Sequence, residues 1–312
     1  MKILFCTDVH GSDVVFRKFL NASKMYKVDA AIIGGDITGK ALAFITRKNG
    51  GYESDTLGRK WTAGNEEELK LLIREFRKKG YYVHVDSAGA VEDFKSAPEK
   101  SDELLKQCIL KSIGEWMQLA DERLKGSGIK CYISPGNDDF YEIDDILNSS
   151  AFVINPELRV TFLDDQYEMI TLGQVNVTPW NCPRDVSEEN LLDAIRGLAS
   201  KVSNPQKAVF NLHAPPYNTY LDVAVELDKH LRPVIKAGQP SMIHVGSLSV
   251  RKAIEEYQPL LGFHGHIHES KAVERIGKTT CINPGSNYQE GELNAVIVDL
   301  ENEVKNYMFV SG

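Results

Sequence analysis

Cysteine is scarce in this chain: five in 312 residues, none of them in a Cys-x-x-Cys pair. The count is odd and the positions (Cys6, Cys108, Cys131, Cys182, Cys281) are scattered. That argues against a disulfide framework and structural zinc, and for reduced thiols in the cytoplasm. Long apolar runs are missing as well, since nothing approaches the ~18 residues of a membrane span. The apolar start, Met1–Cys6, passes at once into Thr7-Asp8, so it is too short for a signal peptide and reads as a first strand. Positive charge is in deficit. With 36 Lys and Arg against 44 Asp and Glu, the net charge is −8, which disfavours tracking along nucleic acid by charge alone. No internal repeat or low-complexity tract is visible. What remains, 42% hydrophobic and 26% charged residues, is ordinary for a globular protein and excludes disorder.

Strand and helix signals alternate along the chain, which predicts an α/β protein. Apolar strand candidates are Lys2–Cys6, Ala30–Ile33, Cys131–Ser134, Ala208–Leu212 and Leu260–Phe263. Several are continuous apolar runs, as expected when both faces of a sheet are covered. Helix candidates include Asp13–Met25, Glu188–Ser200 with Ser187 as N-cap, and Leu248–Tyr257. A second group reads as antiparallel strands: Arg159–Leu163, Glu168–Leu172, Val175–Thr178, Lys271–Ile276, Thr279–Ile282, Asn294–Asp299 and Lys305–Val310. Gly173-Gln174 and Gly277-Lys278 suit tight hairpins between them.

One stretch breaks the alternation. About a hundred residues separate Asp36 from Gly136, whereas a βαβ crossover needs roughly 30 in all. Within it the sequence predicts a hairpin at Asn49-Gly50-Gly51, a helix over Glu66–Lys79, a strand over Tyr81–Asp86 and a long helix over Ser101–Lys125. We read 1–312 as one domain with an insertion at about 41–128. That insertion is an enlarged surface, a cap beside the active site, or an oligomer interface.

Five short motifs stand in order, each just after an apolar strand candidate. They are Asp8-Val9-His10, Gly34-Gly35-Asp36, Gly136-Asn137-Asp138-Asp139, His213-Ala214-Pro215-Pro216 and Gly265-His266-Ile267-His268. Ligands gather beyond the carboxyl ends of the strands in an open α/β sheet, so these groups would converge on one place. Residues i and i+2 of an extended chain point the same way, which pairs Asp8 with His10 and His266 with His268. Glycines before Asp36, Asn137 and His266 let the backbone turn sharply at the strand exits. Taken singly, most of these motifs are ordinary turns, and His213 alone would be a core histidine. Their joint, ordered occurrence carries the reading. His264 is expected to be structural, and His84, His230 and His244 match no motif.

Oxygen and nitrogen ligands without thiolate suit Mn²⁺ best, with Fe, Zn²⁺ or Ni²⁺ as alternatives, rather than Ca²⁺ or a sulfur-rich site. Seven such side chains are too many for one ion with open positions. They suit two ions roughly 3.5–4 Å apart that share a carboxylate, the arrangement used for in-line phosphoryl chemistry. Two divalent ions against Asp8 and Asp36 leave about +2 locally, so a phosphate is attracted although the chain is acidic.

The set D-x-H, G-G-D, G-N-x-D, a lone His after a strand and G-H-x-H resembles the calcineurin-like metallophosphoesterases. Gly35-Asp36-Ile37-Thr38-Gly39, Thr178-Pro179-Trp180, His264–Glu269 and Asn283-Pro284-Gly285-Ser286 look like an Icc-related subgroup. The resemblance implies a four-layer αββα sandwich of two mixed sheets flanked by helices. It implies Asp8, His10 and His268 as ligands of one metal, Asn137, His213 and His266 as ligands of the other, and Asp36 as the bridge. A hydroxide between the ions would attack phosphorus in line, most simply in a phosphodiester such as a small or cyclic nucleotide. Many members that cleave monoesters have histidine directly after the motif asparagine. This chain has Asp138 there, at the position of the proton donor. Two other readings compete: a DNA exonuclease, which the acidic balance disfavours, and a catalytically silent scaffold, which should have lost ligands. The expected partner is therefore a small phosphodiester or nucleotide, without membrane or nucleic acid, in a chain that could self-associate.

Overall fold

Lys2–Cys6 and Ala30–Gly34 are apolar on both sides because alternate residues serve two different cores. Ile3, Phe5, Ala30 and Ile32 point into one cluster of buried side chains, and Leu4, Cys6, Ala31 and Ile33 into another. The computed structural model describes residues 1–312. Its first six-stranded sheet has the order Val304–Ser311, Asn294–Leu300, Lys2–Cys6, Ala30–Gly34, Lys130–Ser134, Val153–Ile154. The second has the order Ala272–Ile276, Thr279–Asn283, Leu261–Phe263, Val209–Leu212, Glu168–Leu172, Val160–Phe162. Both mix parallel and antiparallel pairs. The sheets face each other across a core in which Phe5 stacks on Phe263 at 4.2 Å between ring centroids. Helices close the outer faces: Asp13–Met25 and Pro98–Leu124 on the first sheet, Glu188–Ala199 and Leu248–Tyr257 on the second. This is the expected αββα sandwich.

The segment expected as an insertion divides in two. Residues 41–87 build their own four-stranded sheet, ordered Trp61–Ala63, Gly51–Ser54, Ala41–Lys48, Tyr81–Ser87. Asn49-Gly50 makes the expected two-residue hairpin, with Lys48 opposite Gly51. Helix Glu66–Lys78, capped by Asn65, covers this sheet and buries Leu69, Leu72 and Phe76 against Ala43, Ile45 and Ala63. The long helix, by contrast, belongs to the main body. Ile109, Ile113, Trp116, Met117, Ala120 and Leu124 lie in the same cluster as Val15, Phe16, Phe19 and Leu20, and Trp116 stacks on Phe16 at 4.3 Å. It is the ordinary crossover helix between two parallel strands, Ala30–Gly34 and Lys130–Ser134.

Other expectations need correction. The helix starts at Pro98, not Ser101, because proline fits the first turn, where its missing N–H costs nothing. A further helix, Ala88–Ser96, precedes it. Val175–Thr178 is not an antiparallel strand. Only Val175–Asn176 is extended, and it pairs in parallel with Asp185–Val186. No hairpin forms at Gly173-Gln174, because Glu168–Leu172 is already paired along both edges. The Gly277-Lys278 hairpin forms as expected.

Assigning the long helix to the main core has a measurable consequence. Ile113→Ala should cost about 2–5 kcal/mol, the usual range for emptying a buried aliphatic site. Urea unfolding checks this. A loss under about 1 kcal/mol would place that helix outside the cooperative core.

Candidate metal centre

The loops that leave the first two strands of the central sheet go on pairing beyond it. The N–H groups of Asp8, His10 and Gly11 donate to the carbonyls of Gly35, Asp36 and Ile37. This holds the Asp8 and Asp36 loops side by side above the strand ends. Two glycines permit the close approach of other loops. A Cβ at Gly35, where φ is +126°, would overlap the His213 ring, and one at Gly136 would overlap Asp36. Four functional candidates carry strain themselves. Asp8, His10, Asp36 and His266 have φ of 55°, 42°, 50° and 67°, a region that non-glycine residues enter rarely and at a cost. The surrounding hydrogen bonds hold them there.

The structure brings all seven expected ligands together at one end of the sandwich. Asp8, His10 and His268 place ligand atoms within 4.8 Å of one another, and so do Asp36, His213 and His266. A third grouping joins His10 and Asp36 to Asp138. Asp36 stands between the first two sets. Its Oδ1 is 3.3 Å from His213 Nε2, and its Oδ2 is 3.7 Å from His10 Nε2. Asn137 lines the same cavity as Asp36, His266 and His268. His264 lies apart from the clusters and is fully buried, with Nδ1 against the carbonyls of Leu212 and Ala214.

The residues present fit a pair of cations. His10 Nε2 and His268 Nε2 face each other at 3.0 Å. Asn137 Oδ1 is buried without a protein partner, which a ligated cation would remedy. The other ring nitrogen of two histidines meets a carbonyl, Thr38 for His10 and Gly34 for His213, at 3.2 and 3.0 Å. That turns Nε2 of both rings towards the cluster, the orientation a metal ligand needs. Burial opposes charging of the His213 ring, but Asp36 and Asp8 outweigh it and push it up to about 10. Burial pushes His10 down to about 3 and His266 down to about 4, so both rings are neutral. Burial pushes Asp36 up to about 7 against the pull of His213, whereas burial of Asp8 is outweighed by His268, His213 and His10, which hold it well below the usual carboxylate range.

Residues around the candidate ligands hold the loops of the site together. Asp139 accepts from the N–H groups of Gly136, Ile37 and Thr38 at 2.7, 3.0 and 2.9 Å, tying the Asp36 loop to the Asn137 loop. Arg184 is buried and donates to the carbonyls of Asp139 and Phe140 and to Asp144. Asp185 accepts from the Asn137 amide at 3.0 Å, which turns Oδ1 away towards the cluster. The N–H groups of Thr178 and Cys182 in turn hold Asp185. The Asn283–Ser286 turn is more than a turn. Asn283 Nδ2 reaches the Gly265 and Ile267 carbonyls, and the Ser286 hydroxyl donates to the Asp8 carbonyl. Asp139, Thr178, Asn283 and Ser286 stand within motifs that the sequence singles out, whereas Arg184 and Asp185 carry no sequence signal.

Asp138 is paired on both oxygens, with the Lys40 ammonium and with the Cys182 thiol. Desolvation opposes its ionisation, but Lys40 and the thiol more than offset that and hold it at about 2. Burial and Asp138 together push the Cys182 thiol up to about 12, so it stays a donor.

If Asp185 orients the Asn137 oxygen, Asp185→Ala should weaken Mn²⁺ affinity about 10–100-fold, the usual cost of losing such an outer partner. Calorimetric titration with Mn²⁺ measures this. An unchanged affinity would remove Asn137 from the ligand set or Asp185 from its support.

A family model described as calcineurin-like phosphoesterase matches residues 1–270. An uncharacterized protein of Methanocaldococcus jannaschii is 38% identical over 152 residues, 48% of this chain and 61% of that protein. The match therefore spans less than two thirds of that relative's length. A crystal structure from Thermus thermophilus aligns over 99% of this chain and 97% of its own, with a TM-score of 0.56 at 13% identity. A further solved structure aligns over 99% and 98% with a TM-score of 0.58 at 15% identity. Likeness at such identity concerns the fold alone.

Proposed function

The chain belongs to the calcineurin-like phosphoesterases, a family of metal-dependent hydrolases, and from that premise we propose that it hydrolyses small phosphodiesters at a pair of divalent ions. One observation carries the reading: the two oxygens of Asp36 face two separate clusters of ligand atoms. A carboxylate so placed is suited to serve both ions at once. Asp8, His10 and His268 would hold one ion, and Asn137, His213 and His266 the other. The ions, when bound, supply Lewis-acid charge and acidify the attacking water. The donor set is nitrogen and oxygen without thiolate, which favours Mn²⁺, with Fe, Zn²⁺ or Ni²⁺ as alternatives. Five free cysteines agree with a reducing, cytoplasmic setting.

The protein's own groups favour a diester. Asp138 sits at the edge of the cluster as a carboxylate, and a carboxylate has no proton to give a departing oxygen. It also repels a monoester dianion more than a diester monoanion. Lys40 pairs with Asp138 and lines the same cavity, so it moderates that repulsion at the rim.

A screen of mono- and diesters, cyclic nucleotides included, with Mn²⁺, Ni²⁺, Mg²⁺ and Zn²⁺ supplied in turn tests the proposal. Bis(4-nitrophenyl) phosphate should be turned over faster than 4-nitrophenyl phosphate, and chelation should abolish both activities. Purified protein that binds no metal and hydrolyses nothing with any of the four would overturn it.

A further inference from the structure

We propose that the cleft between the insertion and the metal-ligand cluster is a subsite for the nucleobase of a nucleotide ester. The proposal deepens the phosphodiesterase reading and rests on it. Two cavities meet at the cluster. One, of about 240 Å³, is lined by Asp36, Asn137, Asp138, His266 and His268. The other, of about 300 Å³, is lined by His10, Lys40, Leu57, Tyr81 and Tyr288 among others. Lys40 belongs to both walls, and His10 and His268 meet at 3.0 Å between them. The ligand cluster therefore has a lobe on each side. A phosphate held at the cluster can send an organic group into either lobe, and a diester sends one into each.

The chemistry of the second lobe selects that group. The Tyr288 ring lies against both facing histidines, with centroids 4.7 Å from His10 and 5.8 Å from His268, so an aromatic wall begins where the ligand cluster ends. Tyr81 opens the last strand of the insertion and lines the same space. Leu57 lines it from the opposite loop. It is 46% exposed, and at φ +63° it stands in the left-handed region that branched side chains avoid. An exposed apolar side chain held in a strained turn beside two tyrosines is suited to cover a flat ring. A second phosphate is a poorer fit, because the cations are already matched. Lys40 pairs with Asp138, and the Lys79 ammonium reaches the Gln289 carbonyl at 3.2 Å and Glu290 at 3.9 Å. At about 300 Å³ the lobe takes one ring system rather than an oligonucleotide.

Calorimetry on the Mn²⁺-loaded protein tests this with AMP and ribose 5-phosphate, which differ by the base. Wild type should bind AMP about tenfold or more tightly than ribose 5-phosphate, the scale of one base on an aromatic platform. Tyr81→Ala should close most of that gap and leave ribose 5-phosphate binding and metal content unchanged. Leu57→Gly should also narrow it, and glycine is at ease at a positive φ, so this variant folds. Equal binding of the two ligands by wild type overturns the subsite, as does a gap that survives both substitutions. If the gap exists and closes while no diester is hydrolysed, the subsite stands and the phosphodiesterase reading falls.

Discussion

Asp36→Asn is expected to lower turnover by more than about 100-fold, beyond the upper end of what losing an outer-shell partner costs a metal site. The reason is geometric. Asp36 turns Oδ1 towards His213 and Oδ2 towards His10, so each oxygen serves a different cluster. An asparagine keeps one oxygen and replaces the other with an NH₂ donor, which repels a cation. It can still accept the Asp138 N–H that now meets Oδ1 at 3.1 Å, so the loop keeps its local hydrogen bond. The fold should therefore survive, and far-UV circular dichroism and urea unfolding should match wild type. Elemental analysis should find metal occupancy falling from two ions per chain to one or fewer. Two retained ions with near-normal turnover would sink the bridging assignment, and with it the main support for a dinuclear site.

The second large effect concerns Asp138. Paired with Lys40 and Cys182, it is held ionised at about 2 and cannot protonate a leaving alkoxide. Asp138→His puts a proton donor at that place. A positioned general acid contributes about 10²–10⁴-fold, so the ratio of monoesterase to diesterase activity should rise by about 100-fold. Diesters with good leaving groups gain little, because their departing oxygen needs no proton. Asp138→Asn is the control: it removes the charge without adding an acid and should move the ratio much less. Metal content should stay constant in both variants, since Asp138 is not one of the seven proposed ligands and its backbone N–H still reaches Asp36. The idea fails if wild type already cleaves monoesters faster, or if the histidine leaves the ratio unmoved.

The sequence alone determined what depends on near neighbours in the chain. Continuous apolar runs mark strands with a core on each side, because period two sends alternate residues to opposite faces, as in Lys2–Cys6. A polar motif directly after such a run lies at a strand end, so Asp8, Asp36, Asn137, His213 and His266 were legible as one convergent set. The Asn49-Gly50 hairpin and the Ser187 and Asn65 caps are equally local.

Only the tertiary structure decided which partners those elements meet. Helix Pro98–Leu124 has an apolar stripe that would serve an insertion or the main core equally well, and its contacts with Phe16 place it in the core. Val175–Asn176 pairs in parallel with Asp185–Val186 because the edge that a hairpin would need is already taken. The supports of the site act at long range. Asp139 binds Ile37 and Thr38 about a hundred residues away, and Asp185 holds Asn137 across 48. No periodicity encodes such a pair, since each carboxylate reads locally as one more surface turn. The left-handed backbone at Asp8, His10, Asp36 and His266 follows the same rule. It is unfavourable to the isolated chain and persists only where hydrogen bonds from distant loops outweigh the strain.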